Sequence, residues 1–280
     1  MSNVIYKGSS TTANTDRNAS PQIWADCPRD SIRAGTVDGF YIDDDFAHGG
    51  LITSPTTEAA LVGVNYNGFG SSGAAHTFGT GLGGELVMTE ATDNEAIYTL
   101  TKTHPFQISS LLGTLWYEAR VKISNVALDT MGFICGFWDD VATSVVVPLS
   151  TADPPIMATT GNFVGFRVPE EDTGVVQTCY DADDAGQTVD AEVVVQAAVH
   201  TMVADTYVKL GMKFDPAAGK LRYYINGVEQ TSTVTVPNAT GTTFPADAKL
   251  GLLAGHRNGD ATPNSGITTI DWWKCYQVSV

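Results

Sequence analysis

Several things are scarce in this 280-residue chain, and each scarcity removes a class of answer. No apolar run approaches the roughly 18 residues that a membrane-spanning helix needs, so the sequence predicts no membrane partner. The first residues, MSNVIYKGSSTTANTDRNASPQ, lack an apolar h-region, so no secretory signal is read there; the expectation is a protein kept in a cytosol or released by lysis. Cys27, Cys135, Cys179 and Cys275 are far apart, with no CxxC and no histidine at ligand spacing, which argues against zinc. Four reduced, mostly buried thiols are expected, two disulfides being the alternative.

Positive charge is also scarce: 15 Lys and Arg stand against 31 Asp and Glu, a formal net charge of −16. Phosphate contacts need clustered basic residues, so nucleic acid is not expected as a partner. The acidic surplus suits solubility at high local concentration, or a partner with a basic surface. Helical periodicity is nearly missing as well.

Alternation with a period of two is present instead. Leu115–Ile123 sets Leu, Tyr, Ala, Val and Ile against Trp116, Glu118, Arg120 and Lys122, a strand with one wet face. Val208–Phe214 and Leu221–Asn226 alternate likewise, joined by Asp215-Pro-Ala-Ala-Gly219. Asn226-Gly227 suits a type I′ turn into a third strand ending near Val236. Met131–Trp138 and Phe163–Val168 are apolar on both faces with interleaved glycines, which predicts central strands covered on both sides.

Further strands are predicted at 85–88, 96–101, 175–180, 192–203, 250–254 and 267–278. The valine content of 192–203 favours strand over helix. Gly63–Gly84, glycine-rich, is expected to be a long loop. Residues 1–39 are polar with scattered anchors, Ile5, Tyr6, Ile23, Trp24 and Ile32. They are read as an extended N-terminal arm that lies across its own subunit or a neighbour, its anchors forming an interface; residues 40–280 form the domain. The fold class is all-β, a two-sheet antiparallel β-sandwich.

The hairpin Lys209–Asp215 with Gly219–Gly227 resembles the back-sheet hairpin of concanavalin A-like lectin and glucanase jelly rolls, laminin-G-like domains included. WYEARVKIS and IDWWKCYQV are similar to strands of the same superfamily. The likeness spans about residues 40 to 280 and implies a jelly roll. Asn162–Val168, followed by a short acidic turn, also resembles a segment of tailed-bacteriophage virion proteins.

The glucanases of this superfamily carry ExDxE or ExDxxE on one strand, which puts alternate carboxylates into a cleft as nucleophile and acid. No such string occurs here. Asp139-Asp140 and Glu170-Glu171-Asp172 are adjacent acids and read as solvated turns; there is no GxSxG, and His48, His76, His104, His200 and His256 read as surface or loop residues. The chain is therefore expected not to be an enzyme.

The superfamily's lectins use loop carboxylates to hold calcium. That makes Asp43, Asp44, Asp45, Asp181, Asp183 and Asp184 weak candidates for a metal, no cofactor being otherwise implied. The stretch Asp181–Glu192 nearly matches a helix-loop-helix calcium loop, but Ala185 lacks a ligand oxygen and strands flank it. Trp138, Trp272 and Trp273 are either sugar platforms or core packing, and packing is favoured.

The resemblance makes the leading expectation a virion structural protein, a capsid decoration or cement protein of a tailed phage. It would be assembled in the host cytoplasm, bound to the major capsid protein or other virion proteins, homo-oligomeric with a trimer as one form, and anchored partly through residues 1–39. The alternative is a carbohydrate-binding, lectin-like module on a phage tail or in a bacterium, with calcium assistance and a glycan as partner.

Overall fold

The computed structural model describes residues 17–47, 59–60, 65–71, 74–79, 84–139, 149, 161–182, 192–237, 244–259 and 265–279. Two short helices come first, α1 (Pro21–Trp24) and α2 (Arg29–Arg33). Strands follow as β1 (Gly39–Asp44), β2 (Ala59–Ala60), β3 (Tyr66–Gly70), β4 (Ala75–Phe78), β5 (Leu86–Glu90), β6 (Ala96–Thr101), β7 (Leu115–Ile123) and β8 (Met131–Trp138). The rest are β9 (Phe163–Val168), β10 (Val175–Asp181), β11 (Val193–Thr201), β12 (Val208–Asp215), β13 (Lys220–Ile225), β14 (Val228–Thr235), β15 (Gly251–Asn258) and β16 (Gly266–Val278).

They form two antiparallel sheets. Sheet one runs β14-β13-β12-β7-β16-β5-β4, with β1 also paired to β16; sheet two runs β11-β10-β9-β8-β15-β6-β3-β2. The two-sheet sandwich expected from the alternation is therefore present. Leu115, Tyr117, Ala119, Val121 and Ile123 of β7 and Val208, Leu210, Met212 and Phe214 of β12 face Phe133, Cys135, Phe137, Val164 and Phe166 of sheet two. The predicted hairpin is β12–β13–β14, and Asn226 (φ 50°) and Gly227 (φ 79°) both take the left-handed conformation that a type I′ turn requires.

The 13-residue strand β16 is the spine of sheet one. It pairs with β7 along one side; on the other, β5 takes Gly266–Ile270 and β1 takes Trp273–Val278. A register shift between Ile270 and Trp272 leaves Asp271 as the extra residue, so Trp272 points out while Trp273 joins the core.

The glycine-rich tract 63–84, expected as one loop, contains β3 and β4. The buried face of β3 is Tyr66, Gly68 and Gly70, with Tyr66 supplying its contact to the main core. The arm is not extended where it is described: residues 21–33 turn twice into helix and pack on sheet one, Ile23 reaching so close to Gly211 that a Cβ there would strike its Cδ1. The face of β7 predicted to be wet is consequently covered, and Glu118 and Lys209 beneath it are buried.

β8 and β9 are central and buried on both faces, as their composition predicted. Gly165 of β9 and Gly255 of β15 are seats for aromatic rings lying along the outer face of sheet two. A Cβ built at Gly165 would sit 2.8 Å from Phe163 Cζ, and one at Gly255 would run into the Tyr98 ring and the Ile97 carbonyl. Replacing Gly255 by Ala should therefore overpack this face and destabilise the protein by about 1–3 kcal/mol in chemical denaturation. An unchanged midpoint would show that the ring has room to move.

Candidate binding site

Strand register lays out the outer face of sheet two. One row across it is Gln177, Arg167, Ile134, Gly255, Tyr98 and Phe69; the next is Cys179, Gly165, Gly136, Leu253, Leu100 and Asn67. This face holds a second apolar cluster of Tyr98, Ile134, Trp138, Leu149, Phe163 and Leu253. Its cations are bound internally, Arg167 to Glu192 at 2.5 Å and Arg257 to the Asn94 carbonyl. Burial pushes the Glu192 carboxyl above its ordinary value, Arg167 opposing. Among the described strand residues of sheet two the one carboxylate is Asp181, and Glu192, just before β11, is tied to Arg167, so no described strand of this face carries alternating acids.

Carboxylates instead fasten the chain's first described residues to the outer face of sheet one. Glu118 Oε2 accepts from Ser20 N at 2.9 Å and from Trp24 Nε1 at 2.7 Å. Asp26 accepts from Trp116 Nε1 at 2.9 Å and Lys213 Nζ at 2.7 Å; Asp271 joins Arg17 to Arg120. Burial raises the Glu118 carboxyl above its usual value against those hydrogen bonds. At Asp26 burial pushes upward too, but Lys213 and Trp116 leave the group lowered. Ile23, Trp24 and Ile32, expected as anchors against their own subunit or a neighbour, are buried against Trp116, Tyr224 and Tyr276 of their own chain, the first of those two placements. Ile5 and Tyr6 lie outside the described residues.

The other candidates separate. Asp181, expected in solvent, ends β10 and is buried, because alternation from Cys179 turns it onto the covered face. Asp183, Asp184 and Asp140 lie outside the described residues. Asp43 accepts from Arg33, Lys274 and Tyr276 Oη, Asp44 from Phe46 N and the Tyr66 hydroxyl, and Asp45 from Ala47 N. Among the described residues no three His, Cys, Asp or Glu converge at metal-binding distance.

Glu170, expected in a solvated turn, is buried beside Gly132, while Asp139 binds Asn162 N at 2.6 Å. Trp138, Trp272 and Trp273 are packing residues, all nearly inaccessible. His76 and His256 are not surface residues but core ones. His76 Nε2 donates to the Tyr98 carbonyl at 3.1 Å, and His256 Nδ1 lies 2.9 Å from Thr268 Oγ1. Burial lowers them to about 4 and about 3. Cys135, Cys179 and Cys275 are buried, Cys27 partly so, and all four are free thiols.

One exposed feature was missed in the sequence. β1 pairs with the end of β16 so that Tyr41 sits beside Tyr276 and Asp43 beside Lys274, a two-by-two block on the outer face. Tyr41 stacks on Tyr276 with centroids 5.3 Å apart and planes 14° apart; Tyr276 is held edge-on by Trp24 at 5.8 Å, and Arg33 lies 5.6 Å over it. Tyr41 is 47% exposed and Phe40 44%, whereas every tryptophan is buried. The run Phe40-Tyr-Ile42 carried a strand signal, but it is short and abuts three aspartates.

No protein-family model and no curated protein matches the sequence. Solved structures do match in shape. A protein of unknown function from Shewanella oneidensis MR-1 superposes with a TM-score of 0.52 at 12% identity, over 90% of this chain and 94% of that one. The carbohydrate recognition domain of Emp47p gives 0.52 at 11%, over 85% and 95%; an endo-1,3-β-glucanase from Streptomyces sioyaensis gives 0.51 at 13%, over 85% and 96%. The fold is that of the concanavalin A-like jelly rolls. At these identities the likeness establishes the architecture and nothing about ligands.

Two outcomes follow from the buried polar groups. The unfolded chain takes up protons on histidine near pH 6.5, whereas folded His76 and His256 resist until about 4 and 3, so stability falls as pH drops through this window. The loss should be on the order of several kcal/mol by pH 4, partly offset by Glu118, whose raised value adds stability as pH falls. Denaturant melts across pH 7 to 4 check this, and His256→Gln should flatten the profile. Glu118→Ala orphans two buried donors at about 1–3 kcal/mol each and should speed tryptic cleavage at Arg29 and Arg33 while the sandwich persists.

Proposed function

We propose that this chain is a non-catalytic carbohydrate-binding sandwich. The observation that carries the reading is the chemistry of sheet two, on a fold shared with a carbohydrate recognition domain and a glucanase. Hydrolysis on a strand face needs two carboxylates projecting to one side, and among the described strand residues of this sheet only Asp181 is acidic, and it is buried. Adjacent Asp43 and Asp44 of β1 point to opposite faces, each already held by donors. The described strands of sheet two thus support recognition over bond cleavage.

A second reading is a virion decoration protein anchored in part through residues 1–39; in the described part of that segment Ile23, Trp24 and Ile32 are packed within their own subunit. Burial of those three side chains is worth about 1.5–3 kcal/mol each, so releasing them to reach a capsid would need comparable new contacts.

A glycan array of neutral and acidic oligosaccharides, run with calcium and with EDTA, tests the function. Specific binding without release of reducing sugar is expected. Loss of the signal in EDTA would add calcium through Asp183, Asp184 or their neighbours; hydrolysis of any bound oligosaccharide would overturn the non-catalytic assignment.

A further inference from the structure

We infer that the saccharide platform is the Tyr41 block at the free edge of sheet one, not the outer face of sheet two; the inference rests on the carbohydrate-binding reading. Stacking on a pyranose requires an aromatic face open to solvent, since the apolar C–H side of the sugar gains by leaving water against a flat ring. On sheet two the rings lie down on glycines and are buried, Tyr98 on Gly255 and Phe163 on Gly165. All five tryptophans are inaccessible. Among the described residues the exposed aromatics are Phe40 and Tyr41, neighbours in one strand.

Tyr41 has the properties of a preorganised platform. One face of its ring is fixed on Tyr276, itself immobilised by Trp24 and by a hydroxyl that donates to Asp43 at 2.8 Å. The pairing of β1 with β16 is unbroken from Gly39 to Asp44, so the ring is carried by a strand and not by a loop. Little side-chain freedom is left to lose on binding.

Polar groups suited to sugar hydroxyls stand next to the ring. Arg33, with 45% of its side chain exposed, holds only part of its N–H fork on Asp43. Asp43 is oriented by Arg33, Lys274 and Tyr276, a network that fixes donors and acceptors before a ligand arrives. β1 also has no strand on its far side among the described residues. An exposed ring, a planar cation and a polarised carboxylate on one rigid patch match a hexopyranose ring with adjacent hydroxyls.

The test compares the wild-type chain with Tyr41→Ala, Tyr41→Leu and Tyr41→Phe. Cello-, laminari-, manno- and chito-tetraoses and tetragalacturonate serve as probes, first on an array and then by calorimetric titration of whichever binds. Tyr41→Ala and Tyr41→Leu should weaken binding by about tenfold or more, and Tyr41→Phe should stay within about twofold, because the stacking face is kept. Melting temperature serves as the fold check, and Tyr41→Leu, which keeps apolar bulk without an aromatic face, stands in where Tyr41→Ala is destabilised. If the wild type binds and both non-aromatic variants bind equally well, the platform is elsewhere and the carbohydrate reading survives. If the wild type binds none of the probes, both fail together.

Discussion

The pairing of β16 is the constraint on which the rest of the structure depends. A strand of 13 residues is long enough to take two different partners end to end on one side while β7 runs along the other. The extra residue at Asp271 marks the handover and reverses which side chains face the core. It also aims a carboxylate outward, where Arg17 and Arg120 meet it, so the same local irregularity sets the core, the edge strand and the entry point of the N-terminal segment.

The molecule is layered more deeply than a simple sandwich. Between the sheets lies the main core; over sheet one lies the helical strap with its own cluster of Trp24, Trp116, Tyr224 and Tyr276; over sheet two lies a ring-on-glycine layer reached by Leu149. Each outer layer solves the problem of a sheet face that carries large aromatics. Sheet one covers its tryptophans with chain and binds the chain through buried carboxylates. Sheet two lays its rings flat and gives up side chains beneath them.

Much of this was legible in the sequence where the physics is local. Period-two alternation gave β7, β12 and β13, and Asn226-Gly227 gave the turn because few residues tolerate two successive positive φ angles. Apolar, glycine-interleaved runs gave the doubly covered strands, although the reason for Gly165 needed the neighbouring Phe163 ring and that for Gly136 the close β9 backbone. What could not be read was which charged residues would be covered. Glu118 looks like any outward-facing acid in an alternating strand, and its burial depends on Ser20 and Trp24, nearly a hundred positions away. Asp181 and Glu170 are likewise hidden by packing. The candidate site suffered most: Tyr41 becomes a platform only because Tyr276 is its register partner, a pairing between the two ends of the chain.

The strap has a consequence for the order of events during synthesis. Trp24 and Glu118 are 94 residues apart, Asn18 and Lys209 are 191 apart, and Arg17 and Asp271 are 254 apart. The seat for Ile23 at Gly211 does not exist until β12 has paired with β7, and the partner of Arg17 is synthesised 254 residues after it. This segment is therefore translated well before the surface that orders it, and until that surface forms its tryptophan and the aromatic residues of sheet one are both open to solvent and to chaperones.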